Sequence, residues 1–206
     1  MGSVEIIKIL LDKGMYVELT NANDSTLLHF SSYYGNLEAT KALVKRGAPL
    51  NNPNKNGVTP LLLGARYGKT EVFHCLTQIG TAINIPDAEK NTALHNAALL
   101  DNLEIITILL DKGMSVDLTN AEDSTPLHLS ALIGNLEVTK ALCERGTRLN
   151  KTDKDGETPL YLAVNYGKID VFRYLTETGA DNNICAPKEN ATKLIFRVVW
   201  KLSRFY

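Results

Sequence analysis

Thr125-Pro-Leu-His128 is one of five copies of a phrase that returns every 33 residues. The other four copies are Thr26-Leu-Leu-His29, Thr59-Pro-Leu-Leu62, Thr92-Ala-Leu-His95 and Thr158-Pro-Leu-Tyr161. A fixed period of this length is typical of stacked repeat proteins, in which each repeat contacts only its neighbours. The period therefore predicts an array of equivalent units, and such arrays offer long surfaces more often than one deep pocket.

Two further series of residues share the 33-residue spacing and divide each unit into two helices. One series consists of Gly14, Gly47, Gly80, Gly113, Gly146 and Gly179, each after an apolar run. The other consists of Gly35, Gly68, Gly134 and Gly167, with Asp101 in the remaining unit. Helices often end at such residues because glycine adopts the left-handed conformation without a Cβ clash, and aspartate tolerates it. Threonine and proline in the phrase suit the N-cap and first turn of a helix.

With these features the chain resembles the ankyrin-repeat family, whose units carry Thr-Pro-Leu-His, Ala-Ala, a glycine, an apolar second helix and Gly-Ala before a loop. The closest agreement is Thr125-Pro-Leu-His128 followed by Ser130-Ala131, Gly134, Leu136-Glu-Val138 and Gly146. The resemblance covers roughly residues 4–185. It implies an all-α solenoid of stacked helix-turn-helix units joined by β-hairpin-like loops and curved with a concave groove.

The 33-residue spacing and the resemblance together predict one ankyrin-repeat domain over residues 1–206. Its expected parts are a half repeat at 4–20, full repeats at 21–53, 54–86, 87–119, 120–152 and 153–185, and a degenerate C-terminal cap at 186–206. Residues 4–51 return with extended identity as residues 103–150, so a second period of 99 residues runs through the chain. This duplication and the half repeat favour a chain that is a piece of a longer array.

The C-terminal residues combine an apolar run with Lys193, Arg197, Lys201 and Arg204. A helix that caps the last repeat is the first interpretation. A partner-binding helix or a membrane-surface helix is the alternative, since cationic and apolar residues alternate there. The run is too short to span a bilayer.

Composition predicts a soluble interaction module in the cytoplasm, with the nucleus as an alternative location, and we expect the protein to be monomeric. The net charge of −1 gives no general attraction to nucleic acid. The N-terminus lacks the pattern of a signal peptide. Cys75, Cys143 and Cys185 are far apart, so no zinc site or disulfide framework is indicated.

The histidines do not indicate catalysis. His29, His95 and His128 occupy one slot of the repeated phrase, and Leu62 and Tyr161 fill that slot elsewhere. The resemblance implies that each imidazole bonds the loop backbone of the adjacent unit. His74 stands alone on a second helix and is interpreted as a surface or packing residue. Because phosphate-loop, nucleophile-elbow and zinc-protease motifs are also missing, we predict no enzyme, no catalytic residue, no cofactor and no metal.

Function is expected at the positions that vary between repeats. The resemblance places two such sets on the concave surface, the ends of the first helices and the loops before each threonine. The helix-end candidates are Tyr33, Tyr34, Arg66, Tyr67, Leu99, Leu100, Leu132, Ile133, Asn165 and Tyr166. The loop candidates are Asn23, Ser25, Asn56, Val58, Glu89, Asn91, Glu122, Ser124, Asp155 and Glu157. For Leu99, Leu100, Leu132 and Ile133, packing between neighbouring helices is an equal alternative.

The later loops are acidic, which favours a protein partner with apolar anchors and basic flanks. Their carboxylates are Asp87, Glu89, Glu122, Asp123, Asp153, Asp155 and Glu157, against Lys90 and Lys154. Solvated loop charge without a binding role is the alternative, since rim charges affect association rates more than affinity.

The resemblance also implies candidate sites for an asparaginyl hydroxylase. The matching positions are Asn51, Asn84, Asn150 and Asn183. The alternative is structural, an amide side chain that bonds the loop backbone.

Taken together, the sequence predicts a non-catalytic scaffold that binds a segment of another protein in its groove. Two other functions stay open at this point. The array could be a passive spacer or regulatory arm of a larger protein, or a targeting module that acts through its basic, aromatic C-terminus.

Overall fold

The computed structural model describes residue 9, residues 13–14 and residues 16–181. In this part the chain forms ten α-helices and no β-strand, which confirms the predicted all-α fold of stacked helical repeats. The helices are α1 Leu27–Tyr34, α2 Leu37–Lys45, α3 Pro60–Arg66, α4 Thr70–Gln78, α5 Ala93–Leu99, α6 Leu103–Asp111, α7 Pro126–Ile133, α8 Leu136–Glu144, α9 Pro159–Asn165 and α10 Ile169–Glu177. Most of the expected half repeat and the whole expected C-terminal cap lie outside the described residues.

Threonine begins each first helix, as predicted. The N-caps of α1, α3, α5, α7 and α9 are Thr26, Thr59, Thr92, Thr125 and Thr158. In α3 the Thr59 hydroxyl oxygen accepts the Leu62 amide at 3.2 Å, and in α9 the Thr158 oxygen accepts the Tyr161 amide at 3.1 Å. Losing such a cap costs about 1 kcal/mol.

The tight turn between the paired helices uses the left-handed conformation. Gly35 has φ +72° after α1, and Gly134 has φ +93° after α7. Asp101 occupies the same place after α5 with φ +57°, so the turn survives the loss of glycine as expected. The predicted helix, turn and helix of each repeat are therefore present.

The chain divides into two compact units, Met1–Leu100 and Asp101–Tyr206. In the first unit, α3 packs between α1 and α5, and α2 packs on α4. In the second unit, α7 packs on α9, while α8 packs between α6 and α10.

An apolar core lies between the two helix layers of each unit. In the first unit it includes Leu28, Leu43, Leu61, Leu62, Phe73, Leu76 and Leu94, and in the second Ile105, Ile106, Leu109, Leu127 and Leu142, all fully buried. Each such side chain contributes roughly 1.5–3 kcal/mol by leaving water. This burial holds the helices in place. The helix-end candidate residues lie at the C-terminal ends of the first helices.

The loops before the first helices are hairpin-like and begin at an asparagine or aspartate. The side-chain Oδ1 of that residue accepts the amide N–H groups two and four residues later, at 2.8–3.1 Å. The residues are Asn21, Asn54, Asp87, Asn120 and Asp153. Within each unit, neighbouring hairpins are joined by backbone bonds such as Ala88 N–H to Asn56 O at 3.0 Å and Lys154 N–H to Glu122 O at 3.0 Å.

Candidate partner-binding surface

The ends of the first helices present a largely exposed set of side chains. Tyr34 is 71% exposed and Tyr166 is 53% exposed. Tyr33, Tyr67, Leu99, Leu100 and Ile133 are exposed as well. Arg66, Leu132 and Asn165 are half-buried. Among the four aliphatic candidates, Leu132 is the one that packs inward, against the buried pair Tyr161 and Leu162.

Three tyrosines of the first unit form a contiguous cluster. The Tyr33 ring lies 4.9 Å from the Tyr34 ring at an interplanar angle of 88° and 4.5 Å from the Tyr67 ring at 65°. These edge-to-face arrangements are the favourable ones, and each contributes about 0.5–1.5 kcal/mol beyond the area it buries. The rings are therefore held in place before any partner arrives.

Phe30 is a further exposed aromatic residue of α1 that the sequence analysis did not predict as a binding residue. It is exposed and lies on α1, three and four residues before Tyr33 and Tyr34. That spacing places the three side chains on one helix face. The spacing is visible in the sequence, but Phe30 lies outside the two residues before the turn glycine, where the binding positions were predicted.

Arg66 is held by two partners in the first unit. Its Nη2 lies 2.5 Å from Asp87 Oδ2, and its Nε donates to Asn96 Oδ1 at 3.2 Å. The Asp87 side chain is only 4% exposed. The inclusion of Asp87 among the loop charges that face a partner was therefore wrong, because its carboxylate closes the hairpin and binds the guanidinium.

Two of the loop candidates do not lie at the surface. Val58 is 3% exposed and Ser124 is 9% exposed. Each precedes a capping threonine, at the point where the hairpin turns into the core. The prediction that both lie on an exposed surface is therefore wrong. The remaining loop candidates are exposed, namely Asn23, Asn56, Glu89, Glu122 and Asp155, or half-buried, namely Ser25, Asn91 and Glu157.

The hairpins of the two units differ in charge. In the first unit, Asp24 and Glu89 are matched by Lys55 and Lys90 at the exposed positions. The second unit has five carboxylates and one lysine: Glu122, Asp123, Asp153, Asp155, Glu157 and Lys154. Lys154 Nζ lies 4.0 Å from Glu122 Oε1, and both side chains are mostly exposed, so this pair adds little stability. A negative edge therefore remains in the second unit.

The repeated histidines join neighbouring repeats, as the resemblance implied. The Thr26 amide donates to His29 Nδ1 at 3.0 Å, which leaves the proton on Nε2 to donate to Val58 O at 2.9 Å. His128 repeats the pattern with Thr125 and Glu157 O. Burial lowers the pKa of both histidines below the usual 6.5, so both rings are neutral. Their ring nitrogens are occupied by structural bonds.

The proposed hydroxylation positions also make bonds between repeats. Asn51 Oδ1 accepts the Ala82 amide at 3.0 Å, and Asn150 Oδ1 accepts the Asp181 amide at 2.8 Å. These bonds support the structural interpretation of the two asparagines. Asn84 is exposed, and Asn183 lies outside the described residues.

Two described cysteines and His74 are further residues of a reactive type. Burial raises the pKa of the Cys143 thiol to about 11, so the thiol is protonated at neutral pH. Cys75 is a free, partly buried thiol, and His74 is exposed with Nε2 2.7 Å from the Gln78 amide nitrogen. Within the described part of the chain, no cluster of three or more His, Cys, Asp or Glu side chains is placed to hold a metal ion. Cys185 is outside that part.

Comparison with known proteins identifies the repeat type. A family model described as ankyrin repeats, in three copies, matches residues 1–87, 49–120, 64–153 and 94–185. Together these matches run from residue 1 to residue 185. A search of curated proteins found no significant match. Among the described helices, none has the length and apolar character needed to cross a membrane.

Proposed function

The chain belongs to the ankyrin-repeat family, and from that premise we propose that it is a non-catalytic scaffold for another protein. Ankyrin repeats generally mediate protein–protein interaction, and the fold is typically a non-enzymatic module. The proposed docking surface consists of the first-helix ends and the exposed hairpin residues of each unit. We place the protein in the cytoplasm or nucleus and expect it to act as a monomer.

The tyrosine cluster of the first unit is the observation that carries this proposal. Tyr33, Tyr34 and Tyr67 are exposed yet already fixed against one another. Tyrosine is enriched at the residues that dominate binding energy in interfaces, and preorganised side chains lose less entropy on binding. A packed aromatic cluster in water, with Phe30 exposed on the same face of α1, has the character of an unoccupied interface.

The second unit supports a particular kind of partner. Ile133 and Tyr166 offer apolar contact area, and the hairpins of the same unit add carboxylates such as Glu122 and Asp155. A protein segment with apolar anchors and Lys or Arg flanks is complementary to both features. Nucleic acid is a poor candidate, because its phosphates would be repelled by this edge.

A double substitution tests the scaffold function. Proteins captured from a cell extract by the wild-type chain would be identified, purified and titrated by calorimetry against Tyr34→Ala/Tyr67→Ala. Loss of two central aromatic contacts should cost at least about 2 kcal/mol, or roughly a 30-fold weaker Kd. Circular dichroism would verify that the helices remain.

Tyr16→Ala is the matched control, because Tyr16 is exposed but is not a member of the tyrosine cluster. Its partner affinity should equal that of the wild type. If the double variant binds every captured protein as tightly as the wild type does, the cluster is not the docking surface. Capture of no protein by the wild-type chain would favour the passive spacer or arm instead.

A further inference from the structure

The near-zero net charge of the chain conceals two oppositely charged parts. Residues 182–206, here called the tail, contain five Lys or Arg and one Glu, a formal charge of +4. The remaining 181 residues contain 17 Lys or Arg and 22 Asp or Glu, a formal charge of −5. The tail also holds a dense apolar run and Trp200, the single tryptophan of the chain.

Carboxylates at the hairpins are concentrated in the unit to which the tail is attached. The 99-residue period allows a position-by-position comparison of the two units. Four neutral residues of the first unit, Asn23, Asn54, Asn56 and Val58, correspond to Glu122, Asp153, Asp155 and Glu157 of the second. The Glu122 side chain is 73% exposed, and Asp123 and Asp155 are exposed beside it. The excess negative charge therefore lies on the hairpins, at the edge of the candidate surface.

The same unit also has exposed apolar side chains at its helix ends, here called the floor. Ile133 and Tyr166 are exposed at the ends of α7 and α9, which pack on each other, and Leu132 lies partly open beside them. A ligand for this surface needs apolar side chains for the floor and cations for the hairpins. The tail supplies both, with Lys193, Arg197, Lys201 and Arg204 spaced among leucine, valine and aromatic residues.

We propose that the tail docks on this surface of its own unit, with its cations beside the hairpin carboxylates and its apolar side chains on the floor. The tail begins directly after Asp181, so covalent attachment gives it an effective concentration on the order of millimolar. A contact with an intrinsic Kd below that value would then keep the surface mostly occupied. The tail would be an internal competitor for any basic, apolar partner.

This inference goes beyond the scaffold function, and its test needs no external partner. If the tail does not dock, the proposed partner binding at the tyrosine cluster is unaffected. If no partner binds the tyrosine cluster, the proposed docking of the tail is likewise unaffected.

Fluorescence of Trp200 in the full chain reports directly on the tail. Acrylamide quenching would be compared between the wild type and a variant that restores neutral hairpins, Glu122→Asn/Asp153→Asn/Asp155→Asn/Glu157→Gln. Asparagine at position 153 keeps the hairpin bonds, as Asn54 does in the first unit. Docking predicts an increase of about twofold or more in the quenching constant of the variant, and a similar increase for the wild type in high salt.

A charge-matched control uses the second helices of the same unit. Glu104→Gln/Glu137→Gln/Glu144→Gln/Glu177→Gln removes four exposed carboxylates from α6, α8 and α10. Its quenching constant should stay at the wild-type value. The proposal is overturned if the control and the hairpin variant change equally, or if neither changes, the result expected of a tail that caps the last repeat. Quenching that depends on protein concentration would also overturn it, since the tail would then bind a second copy.

Zero-length carbodiimide cross-linking of the full chain locates the contact. Docking predicts intramolecular links from Lys193 or Lys201 to Glu122, Asp123 or Asp155. Links from these lysines mainly to Asp170 or Glu177 of α10 would contradict the proposed site.

Discussion

Two stretches of the molecule, 21–67 and 120–166, have nearly the same scaffold but different outer surfaces. The Thr40 hydroxyl donates to Ser31 Oγ at 2.9 Å, and 99 residues later Thr139 donates to Ser130 Oγ at 3.1 Å. The histidine bonds repeat in the same way. At the helix ends, however, Tyr33 and Tyr34 correspond to Leu132 and Ile133.

The comparison separates residues that hold repeats together from residues that face outward. Buried hydrogen-bonding groups are constrained because a missing partner costs about 1–3 kcal/mol. Exposed side chains at the helix ends and hairpin tips have no such constraint, and substitutions there usually change stability by less than about 0.5 kcal/mol. The outer surface can therefore change between repeats while the fold stays the same.

The largest expected effect tests whether the histidine bond is equally important in both units. His29→Ala and His128→Ala should each lower the free energy of unfolding by about 2–4 kcal/mol, because each leaves a buried amide and carbonyl unpaired and opens a cavity. Urea unfolding followed by circular dichroism measures both. His74→Ala, at an exposed position, should change it by less than about 0.5 kcal/mol. If either His29→Ala or His128→Ala lowered the free energy of unfolding by less than His74→Ala does, the two histidine bonds would not be equivalent.

The next effect concerns the hairpin tip, which uses a left-handed residue in both units. Gly57 has φ +72°, and a Cβ there would lie 2.8 Å from the Ala88 amide nitrogen. Gly57→Ala should therefore cost about 2–4 kcal/mol, more than the 1–2 kcal/mol of the conformation alone. Gly47→Ala is the control, since its φ is +79° but no atom lies within 4 Å. Equal melting temperatures for the two variants would contradict the steric argument.

Acidification should destabilise both units through the same histidines. Their pKa values are below 6.5 in the folded chain, so the unfolded chain takes up protons first as the pH falls. The stabilisation is complete above pH 6.5 and is lost progressively below it, with a slope of at most about 1.4 kcal/mol per pH unit for each histidine. Unfolding midpoints between pH 7.5 and 5 measure the slope.

His29→Leu/His128→Leu is the control for that slope, because Leu62 fills the same slot in another repeat. The double variant should show a flatter dependence of unfolding on pH. An unchanged slope would assign the acid sensitivity to other groups.

The smallest effect distinguishes the two units at one buried hydroxyl. Within the described part of the chain, Ser32 Oγ is buried and has no hydrogen-bond partner. Position 131, its counterpart in the second unit, is alanine. Ser32→Ala should raise the free energy of unfolding by about 1 kcal/mol, and Ala131→Ser should lower it by a similar amount. Ser31→Ala is the control and should destabilise, because the Ser31 hydroxyl donates to Leu28 O.

Most of the scaffold could be predicted from the sequence because its positions repeat. The capping threonines, the turn residues and the inter-repeat histidine bonds all follow from the 33-residue spacing. The hairpin residues that begin each loop, such as Asn54 and Asp87, share that spacing and could have been identified from it. Their bonding role was not predicted, because the loop residues were interpreted as partner contacts.

The candidate surface was harder to predict because exposure is set by packing. Val58 and Asn56 are two residues apart in one loop, yet one is buried and the other exposed. Arg66 meets Asp87 and Asn96 from a different repeat, at separations of 21 and 30 residues that no repeat period marks. Such pairs depend on side-chain reach, which the sequence does not specify.

The residue that opens each hairpin lets surface charge vary while the loop keeps its shape. The two hydrogen bonds from backbone amides need only one side-chain oxygen as acceptor, which asparagine and aspartate both provide. Replacing Asn54 with aspartate, or Asp153 with asparagine, would thus alter the electrostatic field without refolding the loop. Fields of this kind steer charged partners from a distance. A repeat array of this design can therefore change which proteins it attracts before any residue that contacts a partner changes.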